Sequence, residues 1–167
     1  MKAPLAIVTL ATLLITGCSS VIDEGPTNDE IKKSTGLTVD EAARTVYENL
    51  NTVWPNQVNP DPQHVQKSGC RTNPNSLRSE GPPWRVAKEA EKQDPAPELV
   101  DQVLAGLDTL TSRGFTLAPR HVTNDHPADR VYRDGRGYIV QSEMDIDPRV
   151  GGPPRFSVRS SSPCAAE

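Results

Sequence analysis

Apolar and polar positions alternate in distinct rhythms along the chain, and those rhythms define its elements. Val39, Ala42, Ala43, Val46, Leu50 and Val53 recur at helical spacing, with Tyr47 and Trp54 flanking the same stripe. Thr38-Val39-Asp40-Glu41 has the pattern of a capping box, in which the threonine hydroxyl and the glutamate carboxylate exchange bonds with each other's backbone N–H, and Pro55 ends the element near Trp54. A first helix over about Val39–Val53 follows. A second is expected over about Ala96–Arg113: Asp94-Pro95 has the form of a start with proline at the first helical position. Leu99, Val103, Leu107 and Leu110 make its ridge, and Gly114-Phe115 has the form of a left-handed stop with an aromatic folding back.

The remaining rhythm has period two. His64–Cys70 reads as a short edge strand or an ordered loop. Trp84, Val86, Lys88 and Ala90 alternate weakly, although Lys88-Glu89-Ala90-Glu91 suits a helix as well. Phe115 and Leu117 suggest a strand that Pro119 interrupts. Arg130–Arg133 and Tyr138–Asp145 flank Asp134-Gly135, a dipeptide suited to a hairpin turn. On the second arm Tyr138, Val140, Ser142 and Met144 share one face. Phe156 and Val158 open a last strand expected to end before Cys164. Together these elements predict an α+β fold, a two-layer sandwich with two helices on one face of a mainly antiparallel sheet of three to five strands.

The N-terminus has a different character. Lys2 is followed by an apolar run from Ala3 to Ile15, interrupted by Pro4, Thr9 and Thr12, too short for the ~20 residues of a membrane-spanning helix and of the form of an export signal. Ile15-Thr16-Gly17-Cys18 then resembles the lipobox of bacterial lipoproteins. That resemblance implies diacylglyceryl transfer to Cys18, cleavage after Gly17, and a mature chain that begins at Cys18 on the extracytoplasmic side of a cell membrane. Residues 1–17 are accordingly expected as signal, 18–36 as a polar, largely disordered tether punctuated by Gly25-Pro26, and 37–167 as one domain. Two or more acyl chains hold a protein stably where one does so only reversibly.

With Cys18 assigned to lipid, Cys70 and Cys164 remain as an even pair in an oxidising compartment, which predicts a disulfide between them. The layout as a whole resembles a broad class of small actinobacterial lipoproteins of uncharacterised function. The residues that carry it are Cys18, Cys70, Trp84, Gly114-Phe115, Asp134-Gly135 and Cys164. The resemblance implies a fold and a location, and no activity.

Composition narrows the chemistry. Sixteen Pro and eleven Gly among 167 residues argue against a long helical bundle, and the 4% aromatic content predicts a small core. The net charge of −4, or −5 once Lys2 leaves with the signal, offers nothing to nucleic acid. His121, Asp125 and His126 stand in a polar stretch with donor types that zinc accepts, but their spacing matches no metal motif, so they are weak ligand candidates and no metal is expected. A nucleophile elbow, a zinc-protease motif and a phosphate-cradling loop are all missing from the sequence, and no cofactor is expected. Ser160, Ser161 and Ser162 read as a polar tail or strand edge. Arginines concentrate in the C-terminal half, and Arg130, Arg133, Arg136 and Tyr138 mark a sheet face suited to planar anionic partners. The sequence therefore reads as a non-enzymatic, lipid-anchored module that binds a protein or envelope component. The alternative is an envelope-associated hydrolase or small-ligand carrier whose site has no recognisable motif.

Overall fold

A computed structural model describes residues 24–56, 58, 60, 64–119, 126–146 and 152–167. Among the described residues there are three α-helices and six strands: α1 (Asn28–Ser34), α2 (Val39–Val53), β1 (Gln66–Thr72), β2 (Ser79–Gln93), α3 (Pro97–Thr109), β3 (Phe115–Leu117), β4 (Arg130–Asp134), β5 (Ile139–Asp145) and β6 (Arg155–Ala165). The strands form one antiparallel sheet in the order β1-β2-β6-β5-β4-β3. The class is α+β, with six strands rather than the three to five expected. The excess arises on the β2 side of the sheet. There the lysine and glutamate of the ambiguous stretch lie in a strand of fifteen residues, because the long ladder to β6 outweighs a modest helical propensity.

The α2 helix forms as its pattern predicts. Both arms of the Thr38–Glu41 capping box are made, and Val39, Ala42, Ala43, Val46, Leu50 and Val53 are buried. The third helix starts later than expected. Asp94 has φ 49° and donates its N–H to the carbonyl of Pro154, which takes it out of helical geometry. Ala96, confined to extended backbone by the proline after it, becomes the N-cap, and Pro97 holds the first helical position. A 3₁₀ turn, Leu110–Arg113, continues the element to Gly114, which is left-handed at φ 85°. Part of the expected tether is also ordered: α1 is closed by a second capping box, Thr27 with Glu30, and buries Ile31.

α2 packs on β2 and β6, and α3 packs beside α2. Their apolar stripes share one core with Val86, Ala90, Tyr132, Tyr138, Val140, Phe156 and Val158. Tyr138, Val140, Ser142 and Met144 lie on this inner face, as their alternation predicts. The hairpin between β4 and β5 keeps its expected place. However, the left-handed residue is Gly137 at φ 94°, after a turn in which the Gly137 N–H donates to the Asp134 carbonyl at 3.2 Å. This is a three-residue loop, with the glycine needed where a bulge closes the turn.

The last strand does not stop before Cys164. β6 runs through it to Ala165 in the middle of the sheet, so Ser160, Ser161 and Ser162 are strand residues rather than a tail. Pro163 has no N–H to give a ladder, and the β2–β6 register shifts beside it. The backbone N–H of Val86 donates instead to Ser162 Oγ at 3.0 Å, and that hydroxyl donates to the Pro163 carbonyl at 2.7 Å. Cys70 and Cys164 are disulfide-bonded with Cα atoms 6.0 Å apart, joining β1 to β6, the two strands that flank β2.

Candidate interaction face and the end that carries the disulfide

With the helices on one face of the sheet, strand alternation sends the other residues to the opposite face. Cross-strand pairing arranges them in rows: Glu89, Arg159 and Gln141 in one, Glu91, Ser157 and Glu143 in the next, Gln93, Arg155 and Asp145 in the last. Arg155 reaches carboxylates on both neighbouring strands, Glu91 at 3.3 Å and Asp145 at 3.4 Å. Arg159 lies 3.6 Å from Glu89 and donates to Gln66 Oε1 at 2.9 Å. Both guanidiniums remain open to solvent, at 46% and 37% side-chain exposure. Exposed pairs of this kind contribute only about 0–1 kcal/mol, so this ladder adds little to folding stability.

The four residues expected to form a binding surface are not brought together on one face. Tyr138 is buried under the helices at 2% exposure, and burial pushes its hydroxyl above the ordinary tyrosine range. Arg130 turns to the helix side, donating to Asp108 at 2.8 Å. Arg136 sits in the hairpin turn, paired with Asp134 at 2.8 Å and 5.0 Å from the Tyr138 ring centre. Arg133 alone of the four is exposed on the face opposite the helices, across from Thr116 and Ile139. The charged ladder is built instead on Arg155 and Arg159, from the same arginine-rich half. Its partners Glu89 and Glu91 come from the stretch whose pattern did not distinguish strand from helix.

His121 and Asp125 lie outside the described residues. His126 Nδ1 accepts the Ala128 N–H at 3.1 Å, and among the described residues no group of three His, Cys, Asp or Glu could hold a metal ion. Cys18 also lies outside them. No described helix is long and apolar enough to cross a membrane.

At the disulfide end, an open cleft of about 430 Å³ is lined by residues that include Glu24, Thr27, Arg71, Asn73, Glu80 and Pro82. Arg71 pairs with Glu24 at 2.8 Å, and Asn73 donates to Glu80 at 2.7 Å. Gly69 is required here, since a Cβ on it would stand 2.0 Å from the Glu80 backbone. Beyond the cleft the β1–β2 loop presents Leu77, 70% exposed and left-handed at φ 56°. That conformation costs a non-glycine residue about 1–2 kcal/mol. The exposed side chain offsets little of it through burial.

Comparison with known proteins finds no matching family model, no matching curated protein and no matching solved structure.

Proposed function

We propose that this chain is a lipid-anchored, exported envelope protein whose domain binds a protein or envelope component through the charged sheet face, without catalysing a reaction. The carrying observation is the arginine–carboxylate ladder of Arg155 and Arg159 with Glu89, Glu91 and Asp145, exposed on the side away from α2 and α3. Arginine forks suit planar anionic groups and interfaces, and solvent-exposed pairs can exchange partners at small cost. The lipobox residues Ile15-Thr16-Gly17-Cys18 support the anchor. The Cys70–Cys164 bond supports an oxidising compartment. The cleft beside the disulfide supports a small-ligand carrier less well, because Arg71 is paired with Glu24 and Asn73 with Glu80.

Mass spectrometry of the protein from its own membrane tests the anchor: a mature chain starting at an acylated Cys18 is expected, and an unmodified amino terminus would reject it. A photocrosslinker at Glu143 tests the face. It should give a recurrent adduct in the native envelope that a crosslinker at Asp101 on α3 does not, and that disappears in the Arg155→Glu, Arg159→Glu double variant. Equal adducts from both positions would remove the face from the proposal.

A further inference from the structure

The end of the sheet that carries the disulfide also holds Glu24, the first described residue after Cys18 in the sequence. The Thr72 N–H donates to the Glu24 carbonyl at 2.9 Å, and Gly25 approaches so closely that a Cβ on it would stand 2.5 Å from the Cys70 carbonyl oxygen. Chain entry is thereby pinned to the β1 edge. Six residue steps from Cys18 to Glu24 span at most about 22 Å, so an acyl group on Cys18 keeps this end beside the bilayer. Gln93, which pairs with Arg155 at the opposite end, lies about 26 Å along β2 from Arg85.

The loop at the anchored end is held in one shape. Leu77 donates its N–H to the Asn73 carbonyl at 2.8 Å, Asn73 donates its own to the Arg78 carbonyl at 2.9 Å, and the Asn73 side-chain oxygen accepts the N–H groups of Asn75 and Ser76 at 2.8 and 3.1 Å. This network holds Leu77 left-handed and 70% exposed. An outlier of that kind points to a role outside folding. Arg78, next to it, is exposed and has no ion-pair partner among the described residues.

We propose that the loop from Asn73 to Arg78 is a membrane-contacting tip: Leu77 enters the boundary between headgroups and acyl chains, and Arg78 meets lipid phosphate. The inference rests on the lipid-anchor reading, and its occupant is the bilayer that holds the lipid on Cys18. A single leucine suffices because the anchor makes the contact intramolecular, at high effective concentration. The charged ladder then stands at the far end of the sheet, directed away from the membrane surface.

The test uses the acylated protein, extracted from its own membrane and reconstituted in vesicles of phosphatidylcholine with phosphatidylglycerol. With Cys18 acylated and Cys70 bonded to Cys164, a Leu77→Cys variant carries a single reactive thiol for an environment-sensitive fluorophore, as does a Gln93→Cys control. Spin-labelled lipid should quench the label at position 77 about threefold more than that at position 93, with bluer emission. Arg78→Cys, a milder change, should follow position 77. Equal, water-like signals from all three in a sample whose mass shows acylated Cys18 would overturn the membrane tip and leave the anchor standing. A mass showing unmodified Cys18 would remove both.

Discussion

Tyr132 on β4 donates a 2.6 Å hydrogen bond to Asp108 on α3, and Arg130, two residues earlier on the same strand, donates to the same carboxylate oxygen at 2.8 Å. The helix is thus tied to a strand near the β3 edge by one carboxylate. Removing the hydroxyl in Tyr132→Phe should cost about 1.5 kcal/mol, the bottom of the range for a bond to a charged group because Asp108 is largely exposed. Urea denaturation at neutral pH measures it.

The same bond sets a pH dependence. The Tyr132 hydroxyl, more than the Arg130 guanidinium, holds the Asp108 carboxyl below the usual carboxylate range, against an opposing push from burial. Its contribution is present above the unfolded value of about 3.9 and lost as pH falls through the lower folded value. Burial first, then the bond to Asp108, raises the Tyr132 hydroxyl. That contribution is complete below about pH 10 and lost as pH rises through the higher folded value. In Tyr132→Phe the acid loss should be shallower and this tyrosine's alkaline component absent. Unchanged melting profiles at both extremes would contradict the assignment.

The disulfide spans 94 residues. Closing a loop of that length stabilises by about 4–5 kcal/mol in the chain-entropy model. Reduction, or the Cys70→Ser, Cys164→Ser double variant, should therefore lower stability by several kcal/mol, read as a drop in the urea midpoint. Equal midpoints with and without reductant would show that the two strands need no covalent link.

Glycines give a contrast within one protein. Gly69→Ala drives a methyl group into the Glu80 backbone and should cost more than about 2 kcal/mol. Gly137→Ala, at φ 94° in the β4–β5 hairpin, should cost about 1 kcal/mol. Gly135→Ala meets nothing within 4 Å among the described residues and should stay within about 0.5 kcal/mol. The order of the three midpoints checks the β1–β2 register and the hairpin type together.

Asn49 is fully buried on α2, and among the described residues neither polar atom of its side chain has a hydrogen-bond partner. Replacing it by leucine, which has the same branching but bulkier ends, removes that desolvation cost at some cost in packing, so Asn49→Leu should raise stability by about 1 kcal/mol. A loss instead, measured by calorimetry, would mean that the amide has a bonding role.

Much of the fold is legible in local pattern. The α2 stripe, its capping box, the ridge of α3, the left-handed Gly114 and the inner face of β5 all depend on residues three or four apart, or two apart, whose periodicity survives any tertiary setting. Elsewhere competing local signals are settled by distant partners. Lys88 to Glu91 are in strand because β6 pairs with each of them, and α3 begins at Pro97 because Asp94 bonds to Pro154. The α1 helix, by contrast, is closed by a local pair, the Thr27–Glu30 capping box. The expected arginine surface dispersed for a related reason, since alternation along one strand does not say which face the helices will cover.

From composition and order follow the α+β class and most of the residues that fill the core, because burial acts on residue type, although Leu77, Leu117 and Ile146 stay exposed; the pairing of Cys70 with Cys164 follows once Cys18 is read as the lipid site. The position of Arg155 and Arg159 beside Glu89, Glu91 and Asp145, and of Glu24 beside Thr72, belongs to the folded chain. Those contacts join segments up to 70 residues apart through a strand order that no local rhythm encodes, since a ladder forms wherever backbone groups find partners.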